Sequence, residues 1–349
     1  MSVAVHVLLL VGCAAAIYLA CEWFVNAVEW LGVELGLTTM AVGTVLAAIG
    51  TALPESVVTL VAVLSGSAGA GKEIGVGAAL GGPLVLSTIA YAVVGVLLLL
   101  RRARVRSDGH DGAQPTEAAE PADPFEHVDR PRLVQDQTWF LVIAGSALVL
   151  GLVAFPGKAL LGWVFFVGYA VYLRRELGGD EPAHTADDLA ALRIWRGQAV
   201  PPRWAVVLQT LGSLVVVVLA SQLFVRQLEW AGPQLGLPPA AVALLLAPLA
   251  TELPEVMNAV IWARQGKTQL AMANISGAMM VQATVPAGIG LLFTPWHFDA
   301  VLVTASLTTL AAVLYLRVLA STGRLRPSLV TGTAAFYGAF AVALAAELR

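Results

Sequence analysis

Two short stretches of this sequence put a proline and a glutamate inside long apolar runs: residues 51–56 read TALPES and residues 251–255 read TELPE. A proline inside a helix removes one backbone hydrogen bond and clashes with the preceding turn. A charged side chain at the centre of a membrane helix costs about 2.5–3.5 kcal/mol on insertion scales. In a bilayer the carbonyls freed by Pro54 and Pro254 are tolerated only against protein, water or a ligand. Of the basic residues only Arg226 could lie at matching depth, and its counterpart in the first half is Asn26. The simplest partner for Glu55 and Glu255 is therefore a bound cation. Thr51 and Thr251 each precede their glutamate by four residues, one helical turn away on the same face. Carboxylate, hydroxyl and freed carbonyl oxygens are the ligand set of calcium and sodium, and soft-metal ligands are missing. A lone proline in a helix is more often a simple kink; the repetition of both residues sets that reading aside.

The elements that must hold these groups are membrane spans. Of 349 residues, 58% are hydrophobic and 12% charged, where a soluble protein carries about a quarter charged residues. No basic block rises from this background, which argues against a nucleic-acid partner. Cys13 and Cys21 lie in one apolar segment, as packed or lipid-facing thiols. The five histidines are scattered and no GxSxG or HExxH motif occurs, so neither an enzyme nor a cofactor site is expected. Apolar segments fall at 3–30, 39–65, 74–100, 137–154, 158–175, 203–230, 239–263, 268–293, 298–319 and 327–347. The first begins without a basic leader region, as a span and not a cleaved signal. Two polar stretches interrupt them. Residues 101–136 read as a solvated loop whose acids have no calcium-loop spacing, and 177–202 as a linker with a surface helix around DDLAALRIW. The chain thus divides into 1–100, 101–136, 137–176, 177–202, 203–293 and 294–349. With ten spans, the loops after the third, fifth, seventh and ninth hold nearly all the arginines, which puts them in the cytoplasm and both termini outside.

Shifting the sequence by 200 residues lays FVNAVEWLGVELGL (24–37) over FVRQLEWAGPQLGL (224–237) and TALPE over TELPE. Gly81 then matches Gly277 after a shortened loop. The expected fold is all-α and polytopic, with ten transmembrane helices as two inverted five-helix repeats and broken second and seventh helices. Such repeats belong to transporters and place the substrate near the midplane. Glu29 and Glu229 also match and read as interfacial caps or loop contacts; Glu22 and Gln222 match inside the first and sixth spans.

These residues resemble the cation/calcium exchanger superfamily, whose best-known members are sodium/calcium exchangers. The resemblance covers essentially the whole chain and rests on GLTTMAVGTVLAAIGTALPES and its second-half counterpart. The family motif is roughly G-T-S-x-P-E in the second span and G-S-N-x-x-N in the third, each repeated. By that resemblance Glu55 and Glu255 are the central carboxylate ligands, and Thr51 and Thr251 add oxygens, mainly to sodium sites. The third spans depart from it, reading GGPLVL at 81–86 and GAMMVQ at 277–282. Gly82 stands for serine and Leu86 for asparagine, while the second copy keeps an amide, Gln282. The motif serine is Ala52 in one copy and Glu252 in the other, so the site has three carboxylates. Glu252 either completes a calcium site or carries a proton in place of a sodium ion. Asn274 is a further ligand or an interhelical hydrogen bond. The expected function is a secondary antiporter in the plasma membrane of a prokaryote, exchanging Ca2+ or a related divalent cation against Na+. Proton coupling and a passive cation channel are the alternatives. The partners are the transported cations and the lipid bilayer; no protein partner is evident. The long first and sixth spans slide past the core to switch access.

Overall fold

The computed structural model describes residues 3–52, 56, 60, 70–108, 124–178, 189–195, 200–234, 245 and 247–347. Among them the regular structure is helical, with no β-strand. Helix α1 (Val3–Glu34) is followed by α2 (Thr39–Ala52), which carries a π-turn over Val42–Ala47. Helix α3 runs without interruption through Ala70–Val85, a π-turn at Leu86–Ala90, and Tyr91–Asp108. Next come α4 (Arg130–Leu152), a 3-10 turn (Lys158–Leu161) and α5 (Gly162–Leu177). The second half holds α6 (Arg203–Gln234), α7 (Ala247–Thr251), α8 (Leu253–Arg264) and α9 (Thr268–Phe293). It closes with α10 (Ala300–Ser321), α11 (Pro327–Thr331) and α12 (Ala334–Glu347).

Among the described residues, seven helical segments are long and apolar enough to cross a membrane: α1, α3, α4, α6, α9, α10, and α11 with α12. The described part of α2, the 16 residues of α5, and the α7–α8 pair are shorter. Burial separates an inner helix from outer ones. The apolar window of α9 is 89% buried, against 28% for α1 and 33% for α10. Helix α9 packs on α2, α3, α4, α5 and α8, while α1 and α6 lie along each other at one side. Large apolar side chains such as Leu8 and Val11 on α1, Trp163 and Val167 on α5, and Leu211 and Leu219 on α6 are exposed. In a chain of this hydropathy that exposure is a lipid-facing surface.

Two borders differ from the sequence expectation. The stretch 101–136 is helical at both ends: α3 continues to Asp108, and α4 starts at Arg130 and not at 137. Asp129 caps α4 by accepting the Arg132 N–H at 3.0 Å, with Pro131 in the first turn. The surface helix expected around DDLAALRIW is absent from its described part, 189–195. Side chains of α1 take the carbonyls that a helix there would need. Trp30 Nε1 and Asn26 Nδ2 donate to the Ala190 carbonyl at 2.9 and 3.1 Å. Leu192 then packs with Ala27, Trp30 and Ala205 as a strap across α1 and α6. At the other end of α4, Lys158 Nζ donates to the carbonyls of Leu150, Val153 and Trp296 at 3.0, 2.8 and 3.0 Å. These are orphan carbonyls of a helix end, tied to the loop before α10.

Candidate cation site

The second of the two proline–glutamate motifs sits at a helix break. Helix α7 stops at Thr251, Glu252 turns, and α8 restarts at Leu253 with Pro254 in its first turn. Proline lacks the N–H that would continue the ladder, and it fits the first turn of a new helix. Glu252 and Glu255 are both fully buried. Of the first motif, Thr51 and Ala52 close the described part of α2; Pro54 and Glu55 lie outside the described residues.

Glu252 and Gln282, far apart in sequence, meet. Gln282 Nε2 donates to both carboxylate oxygens of Glu252, each at 2.8 Å. Helix α3 passes this pair at Gly82. A Cβ at position 82 would lie 2.5 Å from Glu252 Oε1 and 2.6 Å from Gln282 Oε1. The departures at 82 and 252 are therefore one compensated exchange. The carboxylate of Glu252 occupies the space that a serine at 82 would need, and only glycine leaves it free.

The other expected ligands divide into groups that turn inward and groups that turn back. Asn274 Nδ2 donates to the backbone carbonyl of Glu255 at 3.1 Å, so the interhelical bond exists. Its Oδ1, also buried, has no hydrogen-bond partner among the described residues. Thr51 Oγ1 donates to the Ala47 carbonyl at 3.1 Å, and Thr251 Oγ1 to the Pro248 carbonyl at 3.2 Å. Each hydroxyl hydrogen is spent on its own helix, which leaves the oxygen lone pairs as acceptors. The Pro254 carbonyl is approached by Cys21 of α1, whose Sγ lies 3.7 Å away. Among the described residues no three His, Cys, Asp or Glu side chains gather as a metal centre. The described donors are carboxylates, amides, hydroxyls and carbonyls, a hard-cation set.

Sequence reasoning missed Asn258. It is fully buried, three residues after Glu255 on the same side of α8, and neither amide atom has a hydrogen-bond partner among the described residues. Its counterpart is Val58, so the repeat, which exposed the other residues, hid this one. A polar residue one turn beyond an intramembrane glutamate was the available signal.

Of the two readings of Glu29, interfacial cap or loop contact, the structure has the loop contact. It is buried, and accepts Trp262 Nε1 at 2.7 Å and Lys267 Nζ at 2.5 Å, tying α1 to the α8–α9 turn. A buried carboxylate needs such partners, and the sequence spacing did not reveal them. Glu22 faces Arg193 at 3.5 Å on a partly exposed surface. Arg226 and Gln222 are exposed, and the Glu229 side chain lies outside the described residues.

With this geometry in place, likeness to known proteins can be set beside it. The model of the sodium/calcium exchanger protein family matches residues 5–175 and 205–346. The inner membrane protein YrbG of Escherichia coli strain K12 is 25% identical over 297 residues, covering 84% of this chain and 81% of its own. The putative antiporter CaxA of Alkalimonas amylolytica is 25% identical over 296 residues, covering 84% and 82%. Among solved structures, the sodium-calcium exchanger NCX_Mj soaked with 2.5 mM Na+ and 0.1 mM Sr2+ is similar over 100% of both chains, with a TM-score of 0.72 at 18% identity. The same exchanger soaked with 10 mM Na+ and zero Ca2+ gives 0.71 at 17%. At these identities the structures speak for the fold.

Proposed function

This chain belongs to the sodium/calcium exchanger protein family, and from that premise we propose that it exchanges Ca2+ or a related divalent cation against Na+ by alternating access. It is an integral membrane protein of exchanger fold. The observation that carries the reading is Glu255, a fully buried carboxylate three residues beyond a helix break, with the amides of Asn274 and Asn258 beside it. In our reading Glu55 and Glu255 are the central divalent ligands. Thr51, Thr251 and Asn274 add oxygens, and Asn258 joins them.

The ten spans are two inverted repeats of five, and close contacts support that arrangement. Gly81 of α3 meets Pro248 of α7, where a Cβ would approach the proline ring to 2.7 Å. Its sequence counterpart Gly277 of α9 meets the backbone of Thr44 in α2. Each third span thus crosses the second span of the other half, as a site between repeats requires. The arginine-rich loops face the cytoplasm of a prokaryotic cell and both termini lie outside, in keeping with the inner-membrane relative.

A second reading, proton coupling, rests on Glu252. Gly82 and Leu86 remove oxygens that the family motif supplies, and Glu252 adds a carboxylate. Three glutamates around one Ca2+ leave one negative charge, which either Na+ or H+ neutralises. Calcium uptake into vesicles under an imposed sodium or proton gradient separates the readings. Uptake driven by sodium is expected, abolished by Glu255→Gln. Uptake driven by protons alone selects the second reading, and uptake that needs no counter-ion gradient means a passive pathway. Unaltered gradient-driven uptake in Glu255→Gln would remove the site assignment.

A further inference from the structure

A polar cavity lies behind α9. Ser276 is two residues from Asn274 and so points to the other side of the helix, away from the break in α7–α8. There Ser276 shares a cavity with Tyr91 of α3 and with Asp136 and Gln137 of α4, closed by Phe140 and Met279. The space swept by a water centre is about 10 Å³, room for one water-sized occupant. All four polar side chains are buried, none more than 4% exposed. Tyr91 and Ser276 share a hydrogen bond of 2.9 Å between their hydroxyls, and Gln137 lines the same cavity with neither amide atom hydrogen-bonded among the described residues.

Asp136 is the group left over. It is 1% exposed, and neither carboxylate oxygen has a hydrogen-bond partner among the described residues. The charged groups within its reach are Glu176, Asp129, Arg132 and Arg175. Arg132 already holds Glu176 at 3.0 Å. Arg175 makes no ion pair with Asp136 among the described residues, so no base touches this carboxylate directly. A buried carboxylate in that state is costly.

We propose that this cavity is a second, non-transported cation site, in which one dehydrated monovalent cation of the sodium class sits on Asp136, Gln137, Tyr91 and Ser276. All four donors are oxygens, the set for a hard ion. One carboxylate balances one positive charge. A divalent ion would leave a charge over and lack its six to eight ligands. The ion joins α3, α4 and α9, so it acts as a structural and regulatory ligand whichever ion drives exchange.

Thermal unfolding of the purified full-length protein tests this, with sodium chloride compared against choline chloride at equal ionic strength. A Glu55→Gln/Glu255→Gln background removes the central carboxylates. In it sodium is expected to raise Tm saturably, and adding Asp136→Asn is expected to abolish the rise. Ser276→Ala keeps the charge and drops one ligand, so the sodium concentration at half-effect should increase several-fold; this variant also serves should Asp136→Asn not fold. No sodium-dependent rise, as for a cavity holding only water or a protonated Asp136, overturns the proposal. So does a rise that neither substitution alters.

Discussion

At position 82 the chain gives up a side chain so that another can take its place. Gln282 binds both oxygens of Glu252, and the gap that receives them is the missing Cβ of Gly82. The nearest atoms are the ends of flexible side chains, so Gly82→Ala should displace the carboxylate and leave the helices in place. The expected cost is that of a hydrogen bond to a charged group, about 1.5–3 kcal/mol. In a Glu252→Ser background the same substitution should cost less than about 0.5 kcal/mol, because the carboxylate is gone and Gln282, no longer held by it, can turn aside. Thermal or denaturant unfolding of the four proteins gives the coupling directly. Equal costs in both backgrounds would mean that residues 82 and 252 are independent, against the geometry. Gly82 and Glu252 were both readable as departures from the family motif. Their compensation was not, since it depends on α3 passing the α7–α8 break, which no local pattern encodes.

Between elements, backbone contacts leave no such slack. A Cβ at Gly277 would lie 2.3 Å from the Thr44 carbonyl oxygen and 2.5 Å from its Cα. The π-turn of α2 presents that backbone, and Thr44 is further fixed by its hydroxyl on the Met40 carbonyl and on Glu176. Nothing can rotate away, so Gly277→Ala should cost at least about 3 kcal/mol, at or beyond the upper end of ordinary overpacking. Gly12, with nothing within 4 Å of its missing Cβ, is the control; Gly12→Ala should be neutral or slightly stabilising, by helix propensity. Detergent-solubilised Tm values settle the comparison, and a Gly277→Ala protein as stable as Gly12→Ala would refute the close approach. Apolar periodicity made the long helices legible, and the repeat located the break at TELPE. The start of α4 escaped because Arg130–Pro131–Arg132 and Asp136 read as loop polarity, although Asp129 with Pro131 is a helix-start signal. The strap at 189–195 escaped for a different reason: its carbonyls are held by Asn26 and Trp30, residues far away in sequence.

The described helices divide into the α1–α6 pair and a core around α9, and the alternating access proposed above would move the first against the second. In the described structure α1 is fastened to the core by few polar contacts. The strong buried one is Glu29 on Trp262 and Lys267, beside the weak approach of the Cys21 thiol to the Pro254 carbonyl; Tyr18 with Arg264 is exposed. If the pair slides, this carboxylate must release its partners in one state, and weakening it should raise the population of the shifted state. Cys21 reports on that shift without an added probe. Its thiol is fully buried, 3.7 Å from the Pro254 carbonyl at the helix break, so it reacts with a water-soluble thiol reagent only when α1 moves away. In a Cys13→Ser background, Glu29→Gln keeps an acceptor for Trp262 and loses the charge that holds Lys267. Losing about 1.4 kcal/mol of that attachment would increase the open population, and with it the labelling rate of Cys21, about tenfold. A global loosening would also lower Tm and speed labelling of any buried thiol; a cysteine placed at Ala271, buried in α9, should stay unreactive. Cys21 labelling at the unchanged rate would mean that Glu29 is a static packing contact and that α1 is held elsewhere.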